Sequence, residues 1–152
     1  MPEIIQEVLT SNNSISNLIR MPSPNFETQI HLRSAQSDGA VSVIELAASP
    51  DFAGPPLHHH DFDEAFYVLE GELVFQVEDA VIVKRAGEFA FAPRNVAHTF
   101  ANHSDAPARY LLVITPASFE RYFARMGEDV PEWALQPYPE TTVVGPPIAS
   151  AQ

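Results

Sequence analysis

The sequence has no cysteine, only 6 glycines and only 8 basic residues among its 152 positions. Without cysteine the chain forms neither disulfides nor thiolate metal sites, and a cysteine nucleophile is excluded. Any metal site must therefore use nitrogen and oxygen ligands. No apolar run approaches the roughly 20 residues that cross a bilayer, and the amino terminus lacks the basic-then-apolar order of a secretory signal. The expectation is a soluble, cytoplasmic protein.

Acidic residues outnumber basic ones, 20 to 8, which gives a formal net charge of −12. A field of this sign repels phosphate backbones and anionic membrane surfaces. We therefore expect no nucleic-acid partner and no membrane partner, and interpret the acidity as a means of solubility.

The chain has the size of one domain, and 14 prolines against 6 glycines favour turns and extended segments over long helices. Short runs with period-two alternation or β-rich composition recur between turn residues, and many short strands at regular spacing indicate a sandwich or barrel. The predicted strands are Thr28–Leu32, Val41–Leu46, Leu57–His60, Ala65–Leu69, Glu72–Val77, Val81–Lys84, Glu88–Phe91, His98–Asn102 and Ala108–Thr115.

The two ends of the chain differ from this strand-rich middle. Residues 1–27 are polar and irregular and are predicted to form an arm, while residues 28–128 form the barrel. Within the latter range, apolar residues at helical spacing from Phe119 to Met126 predict one amphipathic helix, capped by Thr115. The proline-rich tail, residues 129–152, is expected to be extended or partly disordered.

The chemistry is concentrated in the sequence around three histidines and one glutamate. Side chains two apart in a strand share a side, so His58 and His60 point to the same place while His59 points outward. Glu64 keeps that parity across a probable bend, and His98 would arrive from another strand. Three imidazoles and a carboxylate suit iron, manganese, cobalt, nickel, copper or zinc, and can leave a position open for a substrate.

The two segments resemble the two motifs of the cupin superfamily. The first motif, His-x-His followed by Glu and then Gly, is matched by His58, His60, Glu64 and Gly71. The second motif, Gly followed by Pro, His and Asn, is matched by Gly87, Pro93, His98 and Asn102. The resemblance implies an all-β cupin fold, a double-stranded β-helix or jelly-roll barrel with one C-terminal α-helix, in which His58, His60, Glu64 and His98 hold one divalent metal.

Two positions depart from the family pattern. Asn95 replaces the usual glycine after Pro93, which a turn tolerates because asparagine also accepts positive φ. Gly54 lies closer to His58 than the family spacing. Neither change touches a predicted ligand.

The resemblance further implies a metal centre that acts on a small organic molecule. Small cupins similar to this chain resemble quercetin dioxygenase, in which the glutamate equivalent to Glu64 can also act as a general base. A non-oxidative decarboxylase, isomerase or hydrolase, a non-catalytic binding module and a metal-free epimerase are the alternatives. Cupins of this type resemble homodimers built from edge strands and amino-terminal arms.

Other residues near the motifs have more than one interpretation. Parity places three apolar side chains beside the predicted metal, where they either wall a substrate pocket or pack the barrel: Phe66, Val68 and Phe100. Asp61 and Asp63 either orient an imidazole or are solvated loop carboxylates. The remaining motif residues are interpreted as turn formers and barrel supports, and the unmatched His31 and His103 as structural.

Overall fold

The structure, a computed structural model, describes residues 18–20 and 27–149, with side chains from residue 28 onward. Its strands form two antiparallel sheets. The order in the first sheet is β1 (Leu18–Arg20), β2 (Glu27–Leu32), β3 (Ser42–Ala48), β10 (Ala108–Thr115), β5 (Asp63–Glu70) and β8 (Phe89–Ala92). The order in the second sheet is β11 (Thr142–Val143), β4 (His58–His59), β9 (His98–Ala101), β6 (Glu72–Val77) and β7 (Ala80–Arg85).

In the part of the chain that the structure describes, three helical segments accompany the strands: α1 (Ser34–Ser37), α2 (Glu120–Arg125) and a 3-10 helix, Glu132–Leu135. The predicted helix is therefore present, but the prediction that Thr115 caps it is wrong. Thr115 ends β10, and the residue before a proline prefers extended backbone. The helix begins instead at Glu120, whose carboxylate accepts hydrogen bonds from the backbone of Ser118 and Ser34. No helix within the described ranges is long and apolar enough to cross a membrane.

The predicted strands between residues 28 and 115 are all present, to within two residues at each end. Alternation is clearest in β3, where Ser42, Ile44, Leu46 and Ala48 are buried and the residues between them are half-buried. The buried faces of both sheets contribute to one core, which includes Phe66 and Tyr110 from the first sheet and Phe75 from the second. The fold is an all-β jelly-roll barrel with one C-terminal α-helix, as expected.

Two of the described strands lie outside the predicted barrel. β1, in the segment predicted as an arm, pairs with β2, and β11, in the proline-rich tail, pairs with β4. The sequence does not predict β11 because the β-branched run 141–144 is short and lies within a proline-rich segment. Residues 1–17, 21–26 and 150–152 lie outside the described residues, so the proposed boundaries of arm, barrel and tail stay a prediction.

Gly54 is the glycine whose small size matters most for the site. An added Cβ there would lie 1.7 Å from the carbonyl oxygen of Phe100, and the residue has a φ of +77°. The loop that leads to His58 can therefore press directly against the backbone of β9, which carries His98.

Candidate metal centre

The barrel brings His58, His60 and His98 into one group, and Glu64 contacts two of these histidines, His60 and His98. His58 on β4 is the cross-strand partner of His98 on β9, while Glu64 lies on β5 of the other sheet. One ring nitrogen from each of His58, His60 and His98 lies within 4.8 Å of the others. The Nε2 atoms of His60 and His98 are 3.2 Å apart. The Oε2 atom of Glu64 lies 3.0 Å from Nε2 of His98 and 3.4 Å from Nε2 of His60.

Burial within this cluster is uneven. His60, Glu64 and His98 are only 3%, 5% and 2% exposed, whereas His58 is half-buried and forms the open side. His59, as predicted, does not join the cluster. It is half-buried rather than solvated, because β11 pairs with β4 beside it.

A backbone carbonyl fixes each of the three imidazoles from behind. The Nδ1 atoms of His58, His60 and His98 lie 2.7, 3.0 and 2.9 Å from the carbonyl oxygens of Pro56, Phe62 and Val96. A carbonyl only accepts, so each Nδ1 must carry the hydrogen and donate it. In a neutral ring this leaves Nε2 as a bare acceptor that points into the cluster.

The centre of the cluster therefore contains several hydrogen-bond acceptors and no donor between them. The Nε2 lone pairs of His60 and His98 and the carboxylate of Glu64 converge in a buried place where like partial charges repel. A cation would relieve that repulsion. The 3.2 Å between the two Nε2 atoms suits adjacent nitrogen ligands on bonds of about 2.1 Å. Carbonyl-held imidazoles are also the usual support of metal-binding histidines. The residues therefore fit a divalent transition metal.

Electrostatics inside the cluster are strongly coupled. Burial would raise the pKa of Glu64, but the hydrogen bonds and charge that His60 and His98 supply when protonated lower it to about 2, so the carboxylate is ionised at neutral pH. Burial lowers the pKa of His98, but the hydrogen bond and charge of Glu64 more than offset this, and the net shift is upward. The pKa of His58 is lowered, chiefly by burial. His58, the more exposed of these two imidazoles, is therefore neutral over a wider pH range than His98.

Phe62 and Phe119 form an aromatic backing to the cluster that was not predicted from the sequence. The ring of Phe62 is stacked on His60 with centroids 3.5 Å apart and planes 6° apart, and Phe119 lies 4.8 Å behind Phe62. Phe62 could have been found by the parity argument, since it stands between His60 and Glu64 at the same two-residue spacing. Phe119, which begins the predicted helix, packs as expected of a core residue.

Neither aspartate of the first motif forms a hydrogen bond with an imidazole; Asp61 is an exposed loop carboxylate, and Asp63 is half-buried. Asp63 accepts hydrogen bonds from the backbone N–H (2.8 Å) and the guanidinium (3.1 Å) of Arg94, which hold the pKa of Asp63 below its usual range. Asp61 accepts from the side chain of Asn95 at 3.3 Å. The backbone N–H of Asn95 in turn donates to the carbonyl of His60 at 2.7 Å. The aspartates therefore fasten the loop after β8 to the segment that carries His60.

The three residues predicted to line a pocket all lie inside the barrel. Phe66 and Val68 belong to the core, and Phe100 is partly buried against it. Tyr110 packs against both Phe66 and Phe100, and its ring is 5.4 Å from that of Phe100. Tyr110 was not singled out from the sequence, although alternation in β10 predicts that it points inward. Burial, followed by the charge of Glu64, raises its pKa, so the phenol keeps its proton.

Asn102, the last residue of the second motif, has the supporting role predicted for it. Its amide donates to the carbonyls of Ala48 (3.2 Å) and Ala106 (2.8 Å). Its oxygen accepts from the backbone N–H (3.0 Å) and hydroxyl (2.7 Å) of Ser104. The turn at Asn95 also behaves as expected, with a φ of 62°. His31 pairs with Glu45 at 3.0 Å, away from the cluster.

Residues 47–114, which contain all four predicted ligands, match the family described as "Cupin domain". The chain has the cupin fold. Solved structures agree: an RmlC-like cupin from Shewanella frigidimarina is 19% identical, with 67% of this chain and 86% of that chain covered and a TM-score of 0.55. TT1209 from Thermus thermophilus is 25% identical, covering 76% and 96% of the two chains, with a TM-score of 0.51.

A third similar structure is the polyketide cyclase RemF from Streptomyces resistomycificus, 24% identical, with 59% of this chain and 63% of that chain covered and a TM-score of 0.52. No curated protein matches this chain by sequence. These findings show a match to the cupin domain over residues 47–114 and a cupin fold. They do not test the specific resemblance to quercetin dioxygenase.

Proposed function

We propose that this cupin binds one divalent transition metal through His58, His60, Glu64 and His98 and acts on a small organic molecule. The observation that carries the proposal is the convergence of bare Nε2 acceptors on an ionised carboxylate in a buried place. A metal cation bound at this point would relieve the repulsion among these acceptors. When bound, the metal would act as a Lewis acid toward a substrate oxygen and, if redox-active, would allow oxygen chemistry.

The residues around the centre support an aromatic or apolar substrate that carries a few oxygens. Phe66 and Val68 lie in the apolar core of the barrel and Phe100 packs against it, so a substrate that entered the barrel interior beside the metal would meet apolar side chains. Tyr110 keeps its proton and can donate a hydrogen bond to a substrate oxygen. Glu64 is ionised, so it can accept a proton from an enol or phenol of the substrate once its contact with a histidine is replaced by a contact with that hydroxyl group.

A quercetin dioxygenase-like oxygenase is the function we favour, because the donor set of three imidazoles and one carboxylate suits redox-active metals. The experiment is elemental analysis of untagged protein, followed by oxygen uptake with flavonols, catechols and 1,3-diketones. One redox-active ion per chain with substrate-dependent uptake supports the oxygenase. Bound metal without uptake on any of these substrates contradicts it.

The second candidate is a non-oxidative reaction, such as decarboxylation, isomerisation or hydrolysis, on the same centre. The ionised Glu64 beside the cluster favours it, since a carboxylate can accept a proton while the metal would act as a Lewis acid. Product formation in the absence of oxygen separates this candidate from the oxygenase. Ligand binding without turnover would indicate a non-catalytic binding protein.

A further inference from the structure

The strand that carries His58 receives little support from the rest of the barrel. β4 is only two residues long, and its register with β9 consists of a single pair, His58 with His98. On its other side β4 pairs with β11, where Val143 faces His58 and Thr142 faces His59. The C-terminal tail therefore supplies more of the pairing of β4 than the barrel does. Without β11, His58 would lie on an edge strand of the second sheet.

Backbone hydrogen bonds continue this pairing along the residues that lead to His58. The N–H of Val144 donates to the carbonyl of Leu57 at 2.8 Å, and the N–H of Leu57 donates to the carbonyl of Pro146 at 3.2 Å. Leu57 stands between His58 and Pro56, whose carbonyl oxygen lies 2.7 Å from Nδ1 of His58. The tail thus fixes the short stretch of backbone that both carries His58 and orients its ring.

The same part of the tail is anchored behind His60. The ring of Tyr138 makes an edge contact with that of Phe119, with centroids 5.7 Å apart. Phe119 in turn packs behind Phe62, whose ring is stacked on His60. We call residues 138–146 the strap, because this segment runs from the aromatic backing to β4. The strap therefore contacts the surroundings of both histidines of the first motif.

The two ends of the strap are held in different ways. At its start, Arg125 lies 4.7 Å over the ring of Tyr138 and donates to the carbonyl of Gln136 at 2.8 Å. At β11, by contrast, Val143 and Val144 are 61% and 51% exposed, so backbone hydrogen bonds rather than buried side chains hold the strand. Segments of this kind open locally at a lower free energy than global unfolding. β11 is thus the part of the strap that opens first.

From these contacts we infer that closure of the strap on β4 positions His58 for metal binding, and that its opening leaves the centre with one imidazole fewer. The strap lies beyond residues 47–114, so this support comes from outside the part of the chain that matches the cupin domain. The inference rests on the proposed function as far as the metal is concerned, whereas the hold of the strap on β4 is measurable without metal. If strap closure favours metal binding, bound metal must equally favour the closed strap.

Val144→Pro tests the inference, with Val144 acting as a positioning residue through its backbone N–H. The substitution removes the donor to Leu57, whereas the matched control Val144→Ala keeps it and shortens only an exposed side chain. In the metal-free, full-length chain, the amide of Leu57 should exchange at least about tenfold faster in Val144→Pro than in the control. The amide of Asn102, which donates to Phe52 within the barrel, should exchange equally in both. Hydrogen exchange followed by NMR thus separates local opening from a general loss of structure.

Affinity for the zinc ion is the second readout, measured by competition with a chelating dye. The dissociation constant should be at least about tenfold higher in Val144→Pro than in Val144→Ala, because an open strap leaves His58 unsupported. In wild-type protein, bound zinc should slow exchange of the Leu57 amide, a result that depends on no variant.

Equal exchange of the Leu57 amide in the two variants overturns the inference, and so does a zinc dissociation constant that is the same in both. If Val144→Pro does not fold, unchanged Leu57 exchange in zinc-loaded wild-type protein overturns it. A folded wild-type chain that binds no divalent transition metal contradicts the proposed function instead, and the exchange measurement then tests the hold of the strap on β4 by itself.

Discussion

Asn102 and His98 belong to the same short stretch of chain and are both almost completely buried, yet their polar atoms are used in opposite ways. Asn102 uses both amide donors and both acceptor positions on protein partners. His98 satisfies Nδ1 with a carbonyl but directs Nε2 at another imidazole nitrogen and a carboxylate. We call Asn102, whose hydrogen bonds all end on protein partners, a member of the complete group. We call His58, His60, Glu64 and His98, whose acceptor atoms converge without a donor between them, the incomplete group.

The difference gives a physical criterion for a site. A buried polar residue whose hydrogen bonds all end within the protein holds the fold together. A set of buried acceptors that face one another is unfavourable until something positive enters, so its arrangement must be maintained by surrounding contacts. Here those contacts are the three carbonyls behind the imidazoles and the stacked ring of Phe62. The criterion separates the two kinds of motif residue, which a motif match alone does not.

The largest expected effect comes from removing one member of the incomplete group. His98→Ala should lower bound metal from about one ion per chain to nearly none, because loss of a direct ligand costs more than the 10–100-fold typical of an outer-shell partner. Elemental analysis of the folded protein measures it. His59→Ala is the matched control and should keep its metal, because His59 does not point into the cluster. Equal loss in both variants would contradict the assignment.

Removing a member of the complete group should lower stability and leave metal binding unchanged. Asn102→Ala leaves the carbonyls of Ala48 and Ala106 without their partner and should lower the free energy of unfolding by about 3 kcal/mol. Urea unfolding measures this loss, with the adjacent His103→Ala as control. Metal per folded chain should not change. A variant that is stable but metal-free would break the distinction between the two groups.

Acid should affect only the incomplete group. A proton competes with metal for Nε2, and the raised pKa of His98 in the metal-free fold means that competition begins above the ordinary value of 6.5. We expect release to be nearly complete towards about pH 5. Equilibrium dialysis across this range measures it. Full retention of metal well below about pH 5 would count against a histidine-rich site.

The sign of the stability change follows from the same shift. Because the pKa of His98 is raised, its stabilisation of the metal-free fold is present below 6.5 and lost as pH rises through the folded pKa. Glu64, lowered from 4.5 to about 2, loses its contribution only in strong acid. The gap between the melting temperatures of metal-loaded and metal-free protein should therefore widen as pH rises from about 5 to 8.

The smallest effect is expected from the loop that supports His60 from outside. Arg94→Ala removes the ion pair with Asp63 and should weaken metal binding by less than about tenfold, since exposed ion pairs contribute little. Arg85→Ala, which removes an exposed pair with Glu72 on the β6–β7 hairpin, is the control and should leave binding unchanged. Competition with a chelating dye measures both. Complete loss in Arg94→Ala would mean that the loop, rather than the carbonyls, holds the site.

Local pattern was enough to predict most of the barrel and the meeting of His58, His60 and His98. Alternation fixes which side chains face inward, and turn residues separate the strands. Tertiary contacts decided the rest. β11 depends on pairing with β4, and the roles of Asp61 and Asp63 depend on Arg94 and Asn95, more than 30 residues away. The start of α2 depends on the carboxylate of Glu120 reaching Ser34, which no local signal reveals.

Calorimetric titration of metal-stripped protein tests the central claim most directly, namely that the buried acceptors form a cation site. The account predicts saturable binding of one transition-metal ion per chain, abolished by His98→Ala and retained by Asn102→Ala in its folded range. No saturable binding of iron, manganese, cobalt, nickel, copper or zinc to the folded chain would contradict it.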